Sequence, residues 1–330
     1  MTATDIIAPG GRPAVDEAAI EVRGLRRSYV AQRRFNPLTG FSRATAHFEA
    51  VRGIDLRIAR GELFALLGTN GAGKTSTVEL VEGLSRPSGG TVRVLGHDPF
   101  TERRLVRHRT GVVLQSSGFP PGLTVREQAR YWAGTLTAPR PSDPLLEAVG
   151  LAGRLDVQTA QLSGGERRRL DIALAIMGEP EVLILDEPTT GLDPESRRMV
   201  WALIRELVDS GVAVLLTTHY LEEAESLADR LAIMHAGRIA RTGTMAELVA
   251  DQPAQISFGR PADLNLASLA LPGARLSVDD DAVRIETTTM QRSLAALLAW
   301  AGDVQLTDLQ ARSASLEQVF LAIANTEEPS

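Results

Sequence analysis

The stretch that most limits what this chain can fold into is GTNGAGKT, Gly68 to Thr75. It follows the apolar run ELFALLG and precedes KTSTVELVEGL, whose apolar residues recur at helical spacing. A strand, a glycine-rich turn and a helix in that order, with the spacing G-x-x-x-x-G-K-[ST], make a backbone cradle for phosphate. The cradle runs from Gly68 and Thr69 to Ser76. Its inward N–H groups come from Asn70, Gly71, Ala72, Gly73 and Lys74, helped by the positive end of the helix that follows. Lys74 is expected to reach the terminal phosphates and the Thr75 hydroxyl to hold Mg²⁺. Lys74 is also the only lysine in the chain, where arginine fills every comparable position. Arginine is a planar fork and lysine a compact charge on a thin stem, so a tight loop admits the second and excludes the first.

A phosphate site that does chemistry needs acids, and VLILDEP, Val182 to Pro188, supplies them. Asp186, at the end of an apolar strand, is placed to hold the magnesium shell. Glu187 directly after it is the natural general base for an attacking water. Two adjacent carboxylates beside buried apolar residues are costly unless a metal or protons neutralise them, so a purely structural role is strained. His219 ends VAVLLTTH, where a parallel sheet delivers residues to its ligand crevice, and is read as a γ-phosphate contact. Gln115 ends GVVLQ and is a candidate sensor of the magnesium or the water. A second glycine pair stands in QLSGGERRRL, Gln161 to Leu170, and looks like another phosphate cradle. Its helix is expected over Arg167 to Met177, closed by Gly178, with the positive end at Glu166. Arg167 to Arg169, like most arginine clusters, are read as a solvated face.

At 330 residues the chain has room for one large domain and one smaller one. Its net charge of -6 argues against a direct nucleic-acid partner. It has no cysteine, which excludes disulfides and thiolate metal sites, and no apolar run approaches the roughly 18 residues that span a bilayer. Residues 1–18 carry no basic region or long apolar core and are expected to be a disordered lead-in, not a signal peptide. From there to about residue 250, strand-like and helix-like segments alternate, which implies a mostly parallel sheet covered by helices. IEVRGLRRSYV and VRGIDLRIA alternate as half-buried strands do, and LAIMHAGRIARTG is expected to be a hairpin turning at Ala236 and Gly237. The strandless stretch from about Leu123 to Met177, helical to about Ala148 with breaks at the prolines near Pro139 to Pro144, must form a separate lobe. Residues 251–330 read as a small α+β domain. Its strands are AQISFG, RLSV and VRIETTT, with Asp279, Asp280 and Asp281 turning between the last two. MQRSLAALLAWAG places Leu294, Leu297, Leu298 and Ala301 on one helical face, and LEQVFLAIANT is a final helix.

The set GTNGAGKT, Gln115, LSGGE, VLILDEP, GLDP and His219, in this order and spacing, resembles the ABC ATPases over about Ile20 to Met245. The resemblance implies a P-loop NTPase core of α/β class with a mostly parallel sheet and an antiparallel β-subdomain. A helical lobe at about residues 116–178 would carry the signature, and the C-terminal α+β domain is an addition to the minimal ATPase. It implies ATP and Mg²⁺ as ligands, and a head-to-tail homodimer that sandwiches two ATP molecules. In that dimer Leu162, Ser163, Gly164, Gly165 and Glu166 would hold the γ-phosphate bound to the partner's Lys74, which explains a second cradle. Asp193, in GLDP, is similar to the residue that couples the two sites, and Tyr29 to the aromatic that stacks on adenine. Glu166 departs from the usual glutamine; it is expected to cap the helix start acceptably, while its carboxylate is expected to weaken phosphate binding. The segment QRRFNPLTGFSRATAHFE between Tyr29 and Val51 is longer than the usual connection and bears on the stacking. LSGGERRRLDIALAIMGEP and LEQVFL resemble the subgroup that powers export of drugs, antibiotics, polysaccharides, lipids or ions. Its ATPases work on the cytoplasmic face of the membrane with a separate permease subunit. An importer ATPase is the alternative, and a soluble ABC ATPase of DNA repair or translation a further one.

Overall fold

The computed structural model describes residues 18–35, 42–115, 118–261, 265–271, 273–279 and 281–324. The expected lead-in up to residue 17, residues 36–41 of the long connection, and Asp280 lie outside the described residues. The chain divides into two compact units, Met1–Thr244 and Met245–Ser330. Among the described residues no helix is long and apolar enough to cross a membrane.

The first unit contains a three-stranded antiparallel sheet, ordered β2-β1-β4, and a six-stranded sheet, ordered β5-β6-β7-β3-β8-β9. In the smaller sheet β1 (Ala18–Phe35) and β2 (Ser42–Ala59) form one long hairpin, with β4 (Gly89–Val94) along the other side of β1. The segment between Tyr29 and Val51 is therefore mainly an extension of these paired strands, and the ladder has several register shifts. Alternation places Ile20, Val22, Ile54, Leu56 and Ile58 in a core shared with the larger sheet.

The larger sheet is built on β3 (Leu63–Gly68), β6 (Val182–Asp186) and β7 (Ala213–Thr218), every residue of which is buried. Such unbroken apolar runs suit strands covered on both faces. β5 (Thr110–Val113), β6, β7, β3 and β8 (Arg230–His235) are parallel, and β9 (Arg238–Gly243) returns antiparallel. The β8–β9 turn falls on Ala236 and Gly237, at φ 46° and 79°, the left-handed pair that a tight hairpin requires. In register, Leu67 pairs with Thr218 and Asp186 with Thr217, so the phosphate loop, the acidic pair and His219 all leave one edge of the sheet.

Helix α1 (Lys74–Val81) follows β3. The helical stretch expected from Leu123 to about Ala148, broken at the prolines, forms two helices, α2 (Val125–Ala133) and α3 (Ser142–Ala148). The proline-rich link between them cannot continue a helical hydrogen-bond ladder. α4 spans Gly164–Ile176, starting earlier than expected because Ser163 caps it. α5 (Pro194–Asp209) and α6 (Leu221–Leu227) complete the unit.

The second unit has a four-stranded antiparallel sheet, β11-β12-β10-β13, made of β10 (Ala254–Gly259), β11 (Ala274–Val278), β12 (Ala282–Thr287) and β13 (Gln310–Arg312). Asp279 N–H donates to the Ala282 carbonyl at 2.8 Å across the turn. α8 (Met290–Ala301) lies on this sheet, after the short α7 (Met245–Val249), and α9 (Leu316–Ala324) closes the described chain. Leu297 and Ala301 are buried and Leu294 packs beside them, but Leu298 is 50% exposed. The apolar face of α8 is narrower than the leucine pattern suggests.

Candidate functional site

Packing dictates two of the loop glycines. A Cβ at Gly68 would stand 2.5 Å from the Met234 carbonyl, and one at Gly73 (φ 105°) 2.3 Å from the Ala50 carbonyl. Gly71 (φ 81°) has nothing within 4 Å of its missing Cβ, so the rim of the loop is open there. Lys74 is only 5% exposed. Its ammonium donates to the carbonyls of Gly68 at 2.8 Å and Thr69 at 3.3 Å. Burial pulls the Lys74 pKa down, and the charges of Glu187 and Asp186 oppose that. The Ala72 N–H is turned to the Thr69 carbonyl at 3.2 Å, so this one loop donor is engaged within the fold. Thr75 is exposed and Ser76 half-buried. Tyr29 is tied by its hydroxyl to Ser76 Oγ at 3.1 Å and Glu79 at 3.2 Å, and the Arg27 guanidinium lies 4.6 Å from its ring centre.

Glu187 is where the sequence-predicted residues converge. Lys74 Nζ lies 3.8 Å from its Oε1 and His219 Nδ1 3.2 Å from the same oxygen. The histidine approach lacks the alignment of a hydrogen bond. Gln115, two residues beyond β5, reaches Oε2 at 3.5 Å, and the Thr190 hydroxyl reaches it at 3.4 Å. Glu187 itself sits at φ 48°. A residue with a Cβ pays of order 1–2 kcal/mol for that conformation. Its N–H donates to the Thr217 carbonyl at 3.0 Å, which helps to hold the turn. Asp186 is 4% exposed and accepts from the Thr217 hydroxyl.

The second glycine pair opens α4. Ser163 Oγ accepts from the Glu166 N–H at 3.2 Å, and Glu166 Oε2 accepts from the Ser163 N–H at 2.8 Å, a reciprocal capping box. Arg154 donates to Glu166 Oε1 at 2.6 Å. The Ser163 N–H and Arg154 hold the Glu166 carboxyl below its usual pKa against partial burial. The charge is thus compensated locally and turned back on the chain, in the helix-capping role expected of it. The Ser163 hydroxyl, accepting in the cap, still has its own hydrogen to donate. Leu162 is buried beneath the cap. A Cβ at Gly164 would meet nothing within 4 Å, whereas at Gly165 it would press on Ser196 Oγ at 2.8 Å. Asp193 caps α5, its Oδ1 accepting from the N–H groups of Glu195 at 3.1 Å and Ser196 at 2.9 Å.

Residue types alone did not reveal Arg168. Its run reads as a solvated face, yet it is 7% exposed and directed at the turn that carries Asp186 and Glu187. The available signal is its four-residue spacing from Ile172, which does not separate a buried arginine from an exposed one. The hydroxyls of Thr217 and Thr190, which reach Asp186 and Glu187, have no sequence signal, because a strand or loop threonine has no distinctive pattern.

Residues 51–190 match the family model for the ABC transporter domain. Residues 254–315 match the model for the C-terminal domain of ABC transporter domain-containing proteins. The chain is 38% identical, over 84% of its length and 92% of the relative's, to a daunorubicin resistance ATP-binding protein from Streptomyces coeruleorubidus. It is 37% identical, over 88% of its length and 94% of the relative's, to a Nod factor export ATP-binding protein from Rhizobium johnstonii. A solved ATP-binding subunit of an ABC transporter superposes with TM-score 0.61 at 28% identity, over 70% of this chain and 92% of that one. With the phosphate loop, the acidic turn and the capped signature helix already placed, these matches leave one conclusion: the chain belongs to the ATP-binding subunits of ABC transporters and is a nucleotide-binding ATPase.

Proposed function

We propose that this ATPase energises export through a separate membrane permease, working as a homodimer that sandwiches two ATP molecules at the inner face of the membrane. The supporting relatives are named for drug resistance and for Nod factor export, so similar ATPases serve different cargoes. The observation that carries the catalytic part is the convergence of Lys74, Gln115 and His219 on the Glu187 carboxylate. Glu187 takes the proton of the water that attacks the γ-phosphate, and His219 contacts that phosphate. Lys74 exchanges its loop carbonyls for the β- and γ-phosphate oxygens. Thr75, Gln115 and Asp186 offer only oxygen donors, the set that suits Mg²⁺, which would neutralise phosphate charge when bound. Tyr29 flanks the adenine.

The signature Ser163–Gly165 serves the γ-phosphate of the partner's ATP. The open side of Gly164 and the undirected Ser163 hydrogen favour that role, since neither meets a partner among the described residues. Asp193, the cap of α5, is given the coupling of one site to the other on the resemblance of its GLDP stretch. The test is Glu187→Gln, which is expected to bind ATP normally but hydrolyse it at least about tenfold more slowly. It should also accumulate as an ATP-bound dimer in gel filtration. Near-normal turnover would remove Glu187 from the base role.

A further inference from the structure

The arginine run in the signature helix contains a buried polar cluster that the roles above leave unused. Arg168 Nε donates to the Pro188 carbonyl at 2.6 Å, and Nη2 to the carbonyls of Asp186 at 2.9 Å and Glu187 at 3.0 Å. Nη1 donates to the Leu114 carbonyl. The four oxygens belong to two separate segments: the turn bearing Asp186 and Glu187, and the residue directly before Gln115. Burying a guanidinium costs several kcal/mol unless partners satisfy it, so helix packing alone would favour an apolar residue here. Asp171, 3.8 Å away, supplies the nearest counter-charge.

We infer that Arg168 is a positioning residue that ties the phosphate-facing end of α4 to Glu187, the proposed base for the attacking water, and to Gln115, a proposed Mg²⁺ ligand. The inference rests on the catalytic reading above. Ser163 and Gly164 begin the helix, and Arg168 lies little more than one turn further along it. When the partner's γ-phosphate engages the cap, any shift of α4 carries the guanidinium, and with it both carbonyl-anchored segments. The two Nη2 bonds also brace the left-handed Glu187 peptide on either side. Lysine has three donors on one nitrogen and cannot span four carbonyls in two segments, whereas the guanidinium fork can.

The experiment compares ATPase kinetics, ATP affinity and melting temperature of the full chain carrying Arg168→Lys, Glu187→Gln or both. Arg168→Lys is expected to hold ATP affinity within about twofold and lower kcat at least about tenfold. Because the arginine acts through Glu187, the double variant should be no slower than Glu187→Gln alone. A merely structural arginine would lower the melting temperature without this non-additivity. Wild-type kcat in Arg168→Lys overturns the inference, as does a kcat loss that multiplies undiminished in the Glu187→Gln background. Arg168→Gln provides a second, uncharged variant, and failure of both to fold would assign the residue to stability and overturn the positioning role. If Glu187→Gln turns over normally, the base reading fails and takes this inference with it. If Glu187→Gln is slow but Arg168 acts independently, only the inference fails.

Discussion

Lys74→Arg conserves charge but not shape. The ammonium occupies a pocket of loop carbonyls with 5% exposure, and a planar fork has no room there. Calorimetry with ATP and Mg²⁺ is expected to show affinity lowered at least about tenfold; unchanged affinity would sink the steric argument. Glu82, just past α1, is a different kind of residue-scale case. Burial first, then the charges of Asp186 and Glu79, raise its pKa from 4.5 to about 7. An acid raised on folding lends the fold full stability below its unfolded pKa and costs stability as pH rises through its folded one. Glu82→Gln is therefore expected to raise the melting temperature at about pH 8 and leave it nearly unchanged near pH 4.5. An equal effect at both values would show that packing, not charge, governs this position.

The adjacent glycines of α4 are constrained at the scale of elements, and by different neighbours. Gly165→Ala would push a Cβ to 2.8 Å from Ser196 Oγ and wedge α4 from α5. Overpacking of this kind costs about 1–3 kcal/mol, measurable by denaturant unfolding. Gly164→Ala meets nothing within 4 Å in the chain and should leave stability unchanged while impairing ATP-driven dimerisation. Equal stability losses in the two would contradict the different surroundings of the two glycines. The strands were the most legible elements, because β3, β6 and β7 are buried throughout and read as unbroken apolar runs. Helix bounds were less legible. The start of α4 depends on a capping box between Ser163 and Glu166, and glycines at its first positions disguise a helix in sequence.

For the whole molecule, the proposal that each ATP is shared between chains predicts complementation. A Gly164→Asp chain should keep nucleotide binding at its own phosphate loop yet fail to close the dimer, as the new carboxylate would face a γ-phosphate. Mixed with a Lys74→Ala chain, both lesions fall in one composite site and the other site is built from intact parts. ATPase rate against mixing ratio, with the membrane partner present to align the subunits, should show a mixture more active than either variant alone. Loss of ATP binding by the isolated Gly164→Asp chain would instead place the signature within its own site.

The chain's local text determined the phosphate loop, its single lysine, the acidic pair and the signature, because each is a short run whose backbone needs particular residue types at fixed spacing. It also determined the alternation of strands and helices, through hydrophobic period. Tertiary structure alone decided that Gln115, Glu187 and His219 converge, since parallel register brings together strand ends far apart in sequence. It decided that Arg154 reaches Glu166, and that Arg168 is buried while its run reads as surface. An arginine's fate depends on whether carbonyls from distant segments are arranged to receive its fork, and no local pattern encodes that arrangement.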